Sequence, residues 1–321
     1  MKNKVHDKII SDALGQLHHL PSRTIARYIL HNYGEYFDGS LEKIRNSIRY
    51  KRGAIGDFNR KYATHRKPQM PMTKRYQRPP FKINPGLYLI CADIHAPYHE
   101  PKPIESMLKF AQQNKVTGKA LIGDVWDCES LSYWGTSRKK DYDAEICTVI
   151  DILDLLNHEL PTKNNIYLPG NHEFRLSIRI QTSIPEIVGL PLAMLDEQLG
   201  LEARGFELLE YNQIIMAGKL PVIHGHEVRQ ISRAVNPARG LFLKTKTWSL
   251  CAHCHTSSMH TAKDINDTIL TTWSIGCLCD LKPDYNPYGN DWNWGFALVN
   301  VERDGNFEVE NRRILANGKV V

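Results

Sequence analysis

The chain has 321 residues, 42% of them hydrophobic and 24% charged, the composition of a soluble globular protein with one large domain or a medium one and a small companion. No apolar run reaches about 18 residues, so no membrane span is expected, and the opening MKNKVHDKII lacks the apolar core of a signal peptide. Seven scattered cysteines make no disulfide framework and point to a reducing, cytoplasmic setting, while the net charge of +6 hides an asymmetry: 18 Lys and Arg against 6 Asp and Glu in residues 1–85, then 23 against 29 in the rest. A basic leading part ahead of a larger acidic part predicts two units with different partners, and polyanions such as nucleic acid suit the first.

Residues 1–63 read as a basic helical segment. Val5, Ile9, Ala13 and Leu17 recur at helical spacing; Ser22 is placed to cap a second helix with Ile25, Ile29 and Leu30 on its apolar side; a third helix starts at Ser40, with Leu41, Ile44 and Ile48 inward. The third carries Lys43, Arg45, Arg49, Lys51 and Arg52 on its outer face. Three short helices ending in a basic one resemble a helix-turn-helix module in outline, a binder of DNA or RNA; a helical docking appendage with a solvated charged face has the same pattern. Residues 64–86 hold Pro68, Pro71, Pro79, Pro80 and Pro85 among many Lys and Arg. That density forbids regular helix and central strand, and predicts a linker or an extended arm lying on the next domain.

Residues 87–321 are expected to form the main domain. LYLICAD is an apolar run of strand length, followed by a helix near Ile104–Asn114; KALIGD is a second buried strand, Ala144–Leu160 a long helix, and NIYLPGNH a third strand. This alternation predicts an α/β sheet with parallel strands and helices packed on it. After about residue 206 the pattern turns to strands, in FELLEYN, QIIMAGKLPVIHG, WSLCAHCH, DTILTTWSIG, WGFALVNVE and FEVENRRIL, with hairpins favoured at AGK and DGN.

The chemistry gathers at the strand ends. The first strand delivers Asp93-Ile-His95, which in extended chain would point the carboxylate and imidazole to the same face. The second delivers Gly123-Asp124-Val125-Trp126-Asp127, the third Gly170-Asn171-His172-Glu173; His224-Gly225-His226 and Ala252-His253-Cys254-His255 follow later apolar stretches. Any one block alone is commonplace, but five in succession at strand termini, where open α/β sheets place their sites, mark a metal centre. Mixed Asp, Asn and His donors suit Mn, Fe, Zn or a similar divalent ion rather than Ca.

The order D-x-H, G-D-x-x-D, G-N-H-E, H-G-H and a paired H-x-H is similar to that of the calcineurin-like metallophosphoesterase family, over roughly residues 87–260. The resemblance implies a β-sandwich of two mixed sheets flanked by helices, with two divalent metal ions at one end. By that resemblance Asp93, His95 and His255 bind one metal, Asn171, His224 and His253 the other, and Asp124 bridges them. His172 protonates the leaving group or contacts the phosphate, and Asp127 orients that histidine. A water bridging two cations loses its proton near neutral pH, and the same cations stabilise the attacking and leaving oxygens of an in-line displacement. The chain departs from the family pattern twice. Ala252 stands where the last block usually has glycine, and Cys128-Glu129 stand where protein Ser/Thr phosphatases of this superfamily have Arg-Gly, which weighs against a phosphoprotein phosphatase.

Other residues have two readings each. His226 competes with His224 as the ligand, or contacts substrate phosphate; family usage favours His224. Arg175 either holds a phosphate oxygen through its fork of donors or lies on a solvated helix face. Cys251 and Cys254 have the spacing of one half of a zinc knuckle, although core packing accounts for them better. Tyr98, Trp126, Trp292 and Trp294 are candidates to stack on bases or to pack, Trp126 being the best placed for stacking, with residues 289–295 as one rim of the site. For the substrate, the basic front favours a phosphodiesterase or nuclease acting on nucleic acid or a nucleotide. The alternative is a phosphomonoesterase for a nucleotide, small ester or phosphoprotein, and a degenerate nucleic-acid-binding regulator is the minor third reading.

Overall fold

The computed structural model describes residues 2–38, 40–55, 73, 76, 78–133, 140–229, 231, 234–284, 286 and 288–321. The chain divides into two compact units, Met1–Tyr76 and Gln77–Val321. Most of the proline-rich stretch, residues 64–72, 74, 75 and 77, lies outside the described residues.

The first unit packs α1 (Lys2–Leu17), α2 (Ser22–Tyr33) and α3 (Leu41–Lys51) around Ile10, Ala13, Leu14, Ile25, Ala26, Ile29, Ile44 and Ile48. The inward stripe of α1 runs through Ile10 and Leu14, and Val5 is exposed, so the stripe lies further round the helix than the sequence spacing indicated. Ser22 is the first residue of α2 after Pro21, not its cap, whereas Ser40 does cap α3, its hydroxyl accepting from the Lys43 amide. The basic face of α3 is only partly a face. Arg52 donates to the carbonyls of His18 and Leu20 (2.8 Å each) and to the Ser22 hydroxyl, locking the turn between α1 and α2. Lys51 pairs with Asp7 and Arg45 with Glu42.

In the second unit two six-stranded mixed sheets are flanked by helices. One sheet has the order β12-β11-β2-β3-β4-β5, built from β2 (Gly86–Cys91), β3 (Gly118–Leu121), β4 (Asn164–Tyr167), β5 (Phe206–Leu208), β11 (Trp294–Val301) and β12 (Phe307–Ile314). The other has the order β1-β6-β7-β8-β10-β9, from β1 (Phe81–Lys82), β6 (Ile215–Ala217), β7 (Leu220–Ile223), β8 (Ser249–Cys251), β9 (Ser258–Lys263) and β10 (Ile269–Ser274). Strands β2 to β5 run parallel, as the strand–helix alternation predicts; α4 (Pro101–Gln113) and α5 (Tyr142–Glu159) form the crossovers.

Side chains alternate along β2 because successive residues of a strand face opposite ways. Leu89 and Cys91 pack with Ile104, Met107, Val149 and Leu153 of the helices, while Tyr88 and Ile90 meet Val222, Leu250 and Trp273 of the other sheet. The sandwich therefore has a helix–sheet core and a sheet–sheet core. β1 adds Phe81 and Lys82 to the edge of the second sheet beside β6, the placement of an extended arm.

The strand-rich second half also contains α7 (Pro237–Thr245), capped by Asn236, whose side chain accepts from the Arg239 amide at 3.0 Å. Asn followed by Pro at the first helical position is a start signal that the surrounding strand pattern overshadowed. β9 also has no clear signal in the sequence: it is an edge strand with alternating burial and no apolar run. Among the described residues no helix is long and apolar enough to cross a membrane.

Candidate metal centre

The site sits where β2, β3 and β4 of one sheet and β7 and β8 of the other end. These strands are neighbours within each sheet, so five loops converge on one edge of the sandwich. Asp93 and His95 follow β2, Asp124 follows β3, Asn171 and His172 follow β4, His224 follows β7, and His253 and His255 follow β8.

The local backbone is not the extended chain inferred from D-x-H. Asp93 (φ 52°), His95 (φ 50°), Asp124 (φ 54°), His253 (φ 64°) and His255 (φ 55°) are all left-handed. Asp and His are among the non-glycine residues that enter this region most readily, yet each such residue costs on the order of 1–3 kcal/mol and needs neighbours to hold it. The holding bonds are present. The Asp93 amide donates to Gly123 O, the His95 amide to Asp124 O, and the His253 amide to Asp93 Oδ2 at 2.9 Å. Glycine is required at Gly170, where a Cβ would lie 2.2 Å from Asp124 Oδ1.

Glu173 fixes the second loop from beneath. Its buried carboxylate accepts from the amides of Asp124, Val125, Trp126 and Gly170 and from the Tyr167 hydroxyl, at 2.7–3.1 Å. The sequence holds a hint of this role, a charged residue inside a ligand block directly after a buried strand. Its five donors, drawn from two loops and a strand, are visible only in three dimensions.

The expected ligands come together in two groups that share Asp124. Donor atoms of Asp93, His95 and Asp124 lie within 4.8 Å of one another, as do those of Asp124, His224 and His253. His255 Nε2 is 3.4 Å from Asp93 Oδ1 and 3.1 Å from His95 Nε2, and Asn171 Oδ1 is 3.2 Å from His224 Nε2.

The donor set fits a cation at each group. His224 Nδ1 faces the carbonyl of Ile122 at 2.8 Å, and a carbonyl only accepts, so Nδ1 carries the proton. With the proton on Nδ1, His224 Nε2 faces Asp124 Oδ2 and Asn171 Oδ1, both 3.2 Å away, a cluster of acceptors that either a second proton on the ring or a metal ion reconciles. In the other group His95 Nδ1 meets Asp127 Oδ1 at 2.8 Å, which turns its Nε2 lone pair toward His255, and Asp93 Oδ1 is buried without a hydrogen-bond partner. Proton affinities record the same demand. Burial alone would lower His224, but the Asp124 charge and its hydrogen bond carry it up to about 10. Burial pushes the Asp124 carboxyl up, yet His224, His172 and His95 together hold it well below the usual range. His253, partly buried and beside His224, is depressed to about 4, which keeps it neutral as metal binding would require.

Beside these groups lie the residues expected to act on substrate. His172 Nδ1 meets the Asp127 carbonyl at 2.8 Å and Asp127 Oδ1 at 3.1 Å, so its Nε2 faces the centre, 3.8 Å from Asp124 Oδ2. Asp127 thus contacts two imidazoles, those of His172 and His95. Arg175 is no solvated helix residue. At the start of α6 (Phe174–Ser183), it donates to the Asp127 carbonyl at 2.9 Å and reaches to 3.3 Å of His172 Nε2. His226 bonds Asn212 Oδ1 through Nε2 (2.7 Å), stacks on Tyr211, and lies 5.2 Å, ring to ring, from His224.

Trp126, the best placed of the aromatic residues for base stacking in the sequence, is fully buried, and its indole N–H donates to Glu145 at 3.0 Å; it is core. Trp292 lies against His255, ring centroids 4.2 Å apart, which brings the 289–295 segment to the site. Cys251 and Cys254 pack with Ile223, Ile231 and Leu241. Cys279, a residue with no motif around it in the sequence, lies 3.8 Å from His255 Nδ1.

Two mixed sheets, flanking helices and ligand-type loops converging on one edge are the architecture expected from the order of the five sequence blocks. No family model and no curated protein matches the chain. Among solved structures it is similar to a Vps29 mutant from Entamoeba histolytica, at 14% identity and TM-score 0.37, covering 73% of this chain and 96% of that one. It is similar to a dimetal phosphatase from Danio rerio at 11% identity and TM-score 0.37, covering 72% and 96%. A third is Yfce, a phosphoesterase from E. coli, at 15% identity and TM-score 0.32, covering 70% and 98%.

Proposed function

We propose that the chain is a metal-dependent phosphoesterase holding two divalent ions, one on Asp93, His95 and His255, the other on Asn171, His224 and His253, with Asp124 shared. The observation that carries this is the position of Asp124 Oδ2, 3.2 Å from His224 Nε2, 3.9 Å from His95 Nε2 and 3.8 Å from His172 Nε2, so that one carboxylate faces both ligand groups and the acid–base candidate. When bound, the ions would supply an activated water and stabilise charge on the phosphoryl oxygens. The protein's own groups do the rest. Asp127 keeps His172 in the tautomer whose Nε2 faces the substrate, where it exchanges a proton with the leaving oxygen. Arg175 holds its guanidinium beside that nitrogen, in position to bind a phosphoryl oxygen. His226 flanks the second metal group on the opposite side and is the other candidate contact for substrate.

For the substrate we favour a phosphodiester of nucleic acid or nucleotide type. The charge asymmetry of the chain supports this, with exposed Arg23, Arg27 and Lys43 on the first unit. A phosphomonoesterase is the second reading, favoured by the internal engagement of Arg45, Lys51 and Arg52, which leaves α3 less basic than its sequence. The test is Mn-supported hydrolysis of bis-p-nitrophenyl phosphate against p-nitrophenyl phosphate, with Asp124→Asn as the control. Faster diester cleavage is expected. A monoester preference would make the second reading correct, and activity unchanged in Asp124→Asn would remove the proposed centre altogether.

A further inference from the structure

Each ligand imidazole that presents Nε2 to the centre needs an acceptor for the proton on its Nδ1. His95 has the Asp127 carboxylate and His224 the Ile122 carbonyl. His255 has neither. The atom set against its Nδ1 is Cys279 Sγ, at 3.8 Å, while the Cys277 thiol, two residues earlier, donates to Asn293 O at 3.6 Å. Both cysteines are buried, at 0% and 4% exposure. They are also firmly placed. The Cys277 amide donates to Asn293 O and the Leu278 amide to Asp93 O (both 3.0 Å), while the Trp294 indole donates to Cys279 O at 2.9 Å. The segment that carries the thiols is therefore tied to the backbone of Asp93, a ligand proposed for the same metal.

We propose that Cys279, held in place by the Cys277-x-Cys279 segment, is the outer partner of His255: its sulfur accepts the Nδ1–H, fixes the tautomer and presents Nε2 to the first metal. The proposal rests on the two-metal reading above. A thiol sulfur is a weak acceptor, so this arm of the centre is held more softly than the carboxylate-backed His95 opposite it. Cys277 and Cys279 are positioning residues and touch no substrate. Loss of the pair leaves the second metal group intact and weakens the first.

The experiment uses the full chain, stripped with chelator and titrated with Zn(II), metal content being read by mass spectrometry and affinity by competition with a chromophoric chelator. The parent is expected to hold two ions. The double variant Cys277→Ala/Cys279→Ala should keep one tightly and bind the other about 10–100-fold more weakly, the usual cost of losing such a partner. Cys279→Ser, which retains an acceptor, should bind both ions nearly as the parent does. A double variant titrating like the parent overturns the inference, whereas a parent that binds no Zn(II) overturns the metal reading beneath it. Should the double variant fail to fold, two-bond 1H–15N correlations of His255 in the Zn(II)-loaded parent decide the matter: a proton on Nδ1 is expected, and one on Nε2 refutes the assignment.

Discussion

Asp127 Oδ1 lies 2.8 Å from His95 Nδ1 and 3.1 Å from His172 Nδ1, so a single carboxylate oxygen serves a proposed metal ligand and the acid–base candidate together. Burial opposes its charge, but the hydrogen bonds from His172 and His95 hold the Asp127 carboxyl well below the ordinary carboxylate range. Two substitutions therefore have different signatures. His172→Ala removes only the proposed acid–base group, and should lower turnover by about 10²–10⁴-fold while leaving metal content at the parent level. Asp127→Asn should lower turnover and also weaken the first metal position, by about 10–100-fold, because His95 loses its carboxylate partner. Metal analysis alongside steady-state kinetics separates the two. If His172→Ala lost its metals, that histidine would be a ligand and its assigned role would be wrong.

At the scale of elements, the cluster of proposed ligands is legible in the sequence because each block is two or three residues of polar donor chemistry at the end of an apolar strand. Asp93, Asp124 and Asn171 need only the strand boundaries to be recognised as neighbours. What holds those loops is not legible. Glu173 gathers donors from residues 124–126, 167 and 170, a set with no periodicity. Cys279 reaches His255 across 24 positions of chain. The left-handed backbone is hidden too, since alternation of ligands suggests a strand and turns of αL geometry produce the same spacing. Glu173→Ala would strand five buried donors and should cost roughly 3–5 kcal/mol of stability, seen as a lowered midpoint in urea with an unchanged slope. Its metal affinity should fall as well, because the Asp124 loop loses its anchor; a variant as stable as the parent would show that water replaces the carboxylate.

For the whole molecule, the two compact units make a separation possible that a single core would forbid. Residues 77–321 contain both sheets and all the proposed ligands. This portion alone should fold cooperatively and hydrolyse a small diester within about twofold of the full chain, because each of the proposed ligands and acid–base groups comes from residues 77–321. On a nucleic acid the two should differ. If the first unit holds the polymer, its removal should flatten the dependence of log affinity on log salt by about 0.7–0.9 for each phosphate it had neutralised. Equal salt slopes with and without the first unit would assign that unit to something other than a polyanion.

The left-handed ligand loops have one more consequence. Asparagine accepts this backbone as readily as aspartate does, and the two side chains have the same shape. Asp93 or Asp124 can therefore become asparagine, a change open to a single base of a codon, without disturbing a turn or a strand. The proposed catalysis could thus be lost in such a scaffold with no trace in the fold. A lineage could drift from enzyme to binding module while its backbone stayed the same, and only the identity of two side chains would record which of the two it had become.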